Sequence, residues 1–166
     1  LATWRQMQEE LLAKFDFSVE EIKDLLDKTI ELDAKLAKYV LSREESSEYV
    51  KLYHPYDWAD FTKLAPNLPL DSIFTQILGE IPDKVIVPAE RFWKEFAAED
   101  YSEKNWELLK ADLIVSAATS YNSYLTDENR VLSGTYSRAL SGTPQAMDKK
   151  KAAYYLAAGA YSQALG

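Results

Sequence analysis

Apolar residues recur along much of the chain at alternating spacings of three and four, the pattern of helices that bury one face and wet the other. Trp4, Met7, Leu11, Leu12 and Phe15 mark a first helix over Thr3 to Phe15. Ser18 followed by Glu21 has capping-box spacing and predicts a second helix start; Ile22, Leu25, Thr29, Leu32, Leu36 and Tyr39 then form its inner stripe. Ser42 with Glu45 predicts another cap, for a short helix through Leu52. From Tyr53 to Pro69 the prolines at 55, 66 and 69 break the pattern and leave turns with a helical piece near Asp57 to Leu64.

Asp71 to Leu78 reads as a helix ended by Gly79, and Lys84 to Val87 is the one β-branched run, closed by Pro88. A single short strand forms no sheet, so its partner is expected elsewhere in a longer polypeptide. Pro88 suits the first position of a helix through Ala98. Ser102 is the expected cap of a long helix with Trp106, Leu109, Leu113, Ala117, Ser120 and Tyr124 on its buried stripe; Thr126 is the expected cap of the next, through Leu140. Gly142 fits a left-handed helix end, Thr143 a new cap and Pro144 the first turn after it. No internal repeat is present, which argues against a solenoid.

The 166 residues are 47% hydrophobic and 28% charged, enough for a self-standing core and too apolar for disorder. Lys and Arg number 19 against 27 Asp and Glu, a net charge of −8 that repels nucleic-acid phosphates and anionic membranes. No cysteine is present, so disulfides and thiolate metal sites are excluded; this fits a reducing compartment and an exported bacterial protein alike. Apolar runs such as Leu113 to Ala118 fall far short of the roughly 20 residues of a membrane span. Leu1 to Phe17 lacks the order of a signal peptide. A start at Leu1 and an end on Gly166 suggest an excerpt of a longer polypeptide.

Catalytic patterns are sparse. Zinc hydrolysis on a helix needs two imidazoles one turn apart with a glutamate between, and the sole histidine, His54 between Tyr53 and Pro55, reads as a structural hydrogen-bonder. It is also the only available base for an acyl-transfer triad, and no nucleophile elbow accompanies it. The five glycines are scattered, so no phosphate loop forms. Glu20 with Glu21, Glu44 with Glu45, and Glu99 with Asp100 are adjacent carboxylates that point about 100° apart on a helix, which suits solvated faces better than paired acid and base. Lys149, Lys150 and Lys151 read as the wet side of a helix presenting Ala153, Leu156 and Ala157. Tyr154, Tyr155 and Tyr161 could line a peptide groove; core packing with the hydroxyls at the rim is the simpler expectation.

The segment Thr135 to Gly166, with Ala139, Leu140, Gly142 and Thr143 at a helix junction, Tyr155 in the next helix, and Ala164 and Gly166 at its end, resembles the neprilysin family of zinc metalloendopeptidases, with the bacterial endopeptidase O branch the best fit. Tyr53 to Trp58, Val85 to Phe96 and Trp106 to Leu125 are similar to bacterial members as well. The resemblance implies two mainly helical lobes around a closed cavity: a C-terminal lobe bearing the zinc ligands, and an N-terminal lobe that caps it. Residues 1–166 resemble the middle of the capping lobe. No catalytic or metal-binding residue of the family maps onto them, the substrate-binding residues stay unassigned, and zinc belongs to the absent lobe. Ala152 stands where animal members carry a half-cystine, which favours a bacterial, cytoplasmic enzyme.

The expectation is therefore an all-α fold, a multi-helix bundle-like lobe with at most one short strand near 84–87, forming one domain over 1–166. Its expected function is capping a neprilysin-like zinc endopeptidase that hydrolyses oligopeptides, inactive by itself, with the catalytic lobe and peptide substrates as partners. The rival reading is a free-standing helical module that binds an amphipathic partner helix.

Overall fold

The structure, a computed structural model, describes residues 1–97, 105–122 and 124–162. It is mainly helical: α1 (Ala2–Leu12), α2 (Val19–Leu36), α3 (Arg43–Ser47), α4 (Trp58–Leu64), α5 (Leu70–Leu78), α6 (Trp106–Asn122), α7 (Asp127–Ser133), α8 (Thr135–Ser141) and α9 (Lys149–Ala160). Strands β1 (Pro55–Asp57) and β2 (Lys84–Ile86) form a small antiparallel sheet. The chain divides into two compact units, Leu1–Asp27 with Leu113–Gly166 and Lys28–Asp112, so α2 and α6 each contribute residues to both. No helix among the described residues is long and apolar enough to cross a membrane.

In the first unit α1 packs on α7 and α8. The core joins Leu12, Ile22, Leu26 and Val115, flanked by Trp4, Phe17, Leu25 and Ala118. Gln8 is buried beside them, and its amide meets the Thr119 hydroxyl at 2.9 Å. Ser18 caps α2 as its spacing predicts: the Ser18 amide donates to Glu21 Oε2 at 2.8 Å and the Glu21 amide to Ser18 Oγ at 3.3 Å. Phe15, expected inside, lies in a short 3₁₀ turn and stays partly exposed.

The second unit is built on aromatic rings. Phe61, Ala65, Leu70, Val87 and Ala97 form one buried cluster, surrounded by Trp58, Phe74 and Trp93. Trp58–Phe74 and Phe61–Trp93 meet edge-on with centroids 4.9 Å apart, the geometry that the ring quadrupole favours. Leu32, Phe96 and Leu108 form a second cluster, with Phe92 stacked on Phe96. Gly79 ends α5 at φ 85°, as its sequence position suggests.

Several expectations change. The partner of the 84–87 strand lies within this chain, at Pro55–Asp57; the register pairs Pro55 with Ile86 and Asp57 with Lys84. The Val87 amide donates to the His54 carbonyl at 2.9 Å and the Trp58 amide to Asp83 at 3.0 Å, so Pro55 occupies a position whose nitrogen faces away from the ladder, where a missing N–H costs nothing. Pro88 lies in a turn, and the helical segment after it is a wide π turn over Phe92–Ala97. On α6 the buried apolar positions are Leu108, Ala111 and Val115, whereas Trp106, Leu113 and Tyr124 from the expected stripe are 59%, 68% and 69% exposed. Apolar residues occupy several faces of that helix, so periodicity does not single out the inner one. The proposed Ser102 cap lies outside the described residues.

Thr126 does cap α7, its Oγ1 accepting from the Asn129 amide at 3.1 Å, yet the helix stops at Ser133. There Gly134 leaves room for the Arg138 guanidinium, which donates from Nη2 to the Val131 carbonyl at 2.7 Å. Gly142 ends α8 at φ 66°, and the Thr143 amide closes the motif on the Arg138 carbonyl at 3.0 Å. Thr143 and Pro144 do not open the last helix. Asp148 does, with Oδ1 accepting from the Lys150 and Lys151 amides at 3.0 and 3.3 Å, so a carboxylate one residue ahead of the helix replaces the expected threonine.

Candidate functional site

A polar grouping in the second unit surrounds the small sheet. His54 and Tyr56 come from β1 and its approach; Glu90, Arg91 and Lys94 come from the turn after β2. The Tyr56 hydroxyl donates to Glu90 Oε1, and Lys94 Nζ donates to Glu90 Oε2 at 2.9 Å. The Tyr56 hydroxyl first, then Lys94, hold the Glu90 carboxyl below the usual range, and Glu90 in turn raises Lys94. Both groups are charged at neutral pH, so neither is poised for proton transfer. His54 Nδ1 lies 3.3 Å from the Val87 carbonyl, which occupies one ring nitrogen within the sheet itself.

Arg91 is the organising cation. It donates from Nε to the Tyr39 carbonyl at 3.1 Å, from Nη2 to the Val40 carbonyl at 2.7 Å, and through both terminal nitrogens to the Glu45 carboxylate at 3.0 and 2.9 Å. Such a bidentate fork tethers the end of α2 and the cap of α3 to the turn after β2. Glu45 also completes the α3 capping box, accepting from the Ser42 amide at 2.7 Å. Arg91 first, then the Ser42 donors, lower the Glu45 carboxyl to about 2. Of the adjacent carboxylates noted in the sequence, Glu21 and Glu45 thus serve as helix caps, and Glu99 with Asp100 lie outside the described residues. Asp112 on α6 is shifted the other way, raised by burial and then by the Asp33 charge.

In the first unit an open cleft of about 380 Å³ lies between the α6–α7 turn and α9, lined by the apolar Tyr124, Leu125, Ala153 and Leu156 and by the charged Asp127, Arg130 and Lys149. Arg130 is committed within the fold, bonding Asp127 Oδ1 at 2.9 Å through Nε and the Met147 carbonyl at 2.9 Å through Nη2. Lys149 to Lys151 are exposed on α9, but so are Ala153, Leu156 and Ala157, which the sequence assigns to its inner face. Tyr154, Tyr155 and Tyr161 are not in the core: all three are exposed, with Tyr154 and Tyr155 touching only edge to face among their ring contacts. Among the described residues no three His, Cys, Asp or Glu side chains gather where they could hold a metal ion. Arg91 and the Tyr56–Glu90 bond carry no motif, because the partners lie 34 to 52 residues apart.

This arrangement binds segments together and offers no reacting group, which makes kinship the deciding observation. The N-terminal model of Peptidase family M13 matches residues 1–166, the whole chain. The chain belongs to peptidase family M13. It is 65% identical over 167 residues to a protein of Streptococcus gordonii named as a zinc metalloproteinase, covering 100% of this chain and 29% of that one. It is 32% identical over 163 residues to the neutral endopeptidase of Lactococcus lactis, covering 98% of this chain and 26% of the relative. The crystal structure of PepO from Lactobacillus rhamnosis HN001 superposes with a TM-score of 0.82 at 26% identity, over 94% of this chain and 25% of that one. These residues are an N-terminal region of the neprilysin-like M13 type, mainly helical, and they span between a quarter and three tenths of the relatives they match.

Proposed function

We propose that residues 1–166 belong to one helical lobe that caps the active site of an M13 zinc endopeptidase, admitting oligopeptides and excluding folded proteins. The match of the entire chain to the family's N-terminal model carries this reading. Support also comes from the chemistry of the residues. The polar groups around β1 and β2 are paired with one another, and His54, the only imidazole in the sequence, is engaged by the sheet. The described residues therefore do not fit a zinc site, and the zinc ligands and general base are assigned to the remainder of the polypeptide, the lobe's partner together with peptide substrates. A capping element needs rigidity and a soluble outer face, which the aromatic core and the net charge of −8 supply. The same reading expects a bacterial enzyme, as its relatives are, and assigns it to the cytoplasm.

The test is size selection by the intact parent enzyme. A short peptide is assayed free in solution and again when displayed in a surface loop of a stable folded protein. Capping predicts cleavage of the free peptide and sparing of the displayed one. Equal rates on both would remove the capping role.

A further inference from the structure

Helix α9 has a packing deficit. Of its 12 residues only Ala152 is buried, although Tyr154, Tyr155 and Leu156 are large and apolar. A helix of this length is marginal in water without a packed face, so its exposed apolar residues call for cover. The cover is not random in character. The cleft beside α9 is lined by the apolar Tyr124, Leu125, Ala153 and Leu156 and by Lys149, which has no ion pair among the described residues, while Arg130 and Asp127, which also line it, are paired with each other. Such a site accepts an apolar side chain with a carboxylate nearby. Relatives of this chain carry roughly three quarters of their length beyond the matched region, which supplies the material.

We infer that the cleft between the α6–α7 turn and α9 is the seat of an acid-bearing apolar segment from the rest of the same polypeptide. This rests on the reading that residues 1–166 are part of a longer M13 enzyme. The occupant's apolar residue enters between Leu125 and Leu156, and its carboxylate faces Lys149. Helix α9 is thereby one half of an internal interface, completed only in the intact enzyme.

Hydroxyl-radical footprinting of the unmodified intact parent reads this directly, with the fully buried Leu12 as internal reference. The expected result is labelling of Leu156 within about threefold of Leu12, where a side chain left open to solvent labels at least tenfold more. A photo-crosslinker at position 156 should then join to a site outside residues 1–166 in a species of single-chain mass. Solvent-like labelling of Leu156 overturns the inference, as do crosslinks in a two-chain species, which would make a second copy the occupant. Lys149→Glu should raise Leu156 labelling at least threefold, and unchanged labelling would overturn the acidic partner. Peptide hydrolysis is followed in the same sample. An active enzyme with an open Leu156 sinks the docking alone, and a protected Leu156 in a polypeptide without peptidase activity sinks the functional reading alone.

Discussion

Helices α1 and α9 are similar in length, 11 and 12 residues, and both belong to the first compact unit, yet they finish in opposite states. Helix α1 buries Met7, Gln8, Leu11 and Leu12 and packs on α7 and α8. Helix α9 buries Ala152 and leaves two tyrosines and a leucine open. Sequence amphipathicity tells that a helix wants a partner; it does not tell where the partner is. For α1 the partner is inside these 166 residues, and for α9 the account places it outside them.

The sharpest way to break this contrast is to truncate one side chain on each helix. Leu12→Ala should cost about 3 kcal/mol, because Leu12 is fully buried against Ile22, Leu26 and Val115. Leu156→Ala should change the stability of the 166-residue chain by less than about 0.5 kcal/mol. Urea unfolding of the two variants settles the matter, and equal losses would mean that α9 is already part of the core.

Arg91 extends the contrast to the second unit, where the turn after β2 is tied down by four hydrogen bonds from one side chain. Arg91→Ala should lower the melting temperature, by less than Leu12→Ala does, since the pair is partly exposed. Its pH dependence has a defined sign. Glu45 titrates at about 2 in the folded chain against an ordinary 4.5, so its contribution is full above the ordinary value and disappears as pH falls from 4.5 toward 2. The gap between wild type and Arg91→Ala should narrow over that range. Carboxyl NMR should show the Glu45 midpoint rising in the variant, but not all the way, because the Ser42 donors remain.

Smaller effects locate the start of α9. Gly142→Ala should cost about 1 kcal/mol, because φ of 66° is unfavourable for a side chain although nothing crowds the added Cβ. Thr143→Ala should cost less than about 0.5 kcal/mol, since Asp148 is the cap. A larger loss for Thr143→Ala than for Gly142→Ala in thermal melts would shift the helix boundary back to the threonine.

What could be read from sequence was local. Capping boxes at Ser18 and Ser42 and glycine ends at Gly79 and Gly142 depend on residues three or four apart, and all four are present. The pairing of Pro55–Asp57 with Lys84–Ile86 spans the whole of α4 and α5, and a proline at its head disguises the first strand. The inner face of α6 is not legible in the sequence because the exposed Trp106 and Leu113 are as apolar as the residues that are buried. Arg91 carries no motif, so its clamp emerges only when distant carbonyls come together. The family was legible at the α8–α9 junction, where Gly142 has the backbone role that its position suggests.

The central claim is that these residues shape an M13 enzyme whose metal is held elsewhere in the polypeptide. Zinc content and peptide hydrolysis of the intact parent carrying His54→Ala test it most directly, because His54 is the only histidine among these 166 residues. The account predicts equimolar zinc and unchanged kcat/KM in the folded variant. Loss of the metal with the fold intact would contradict it.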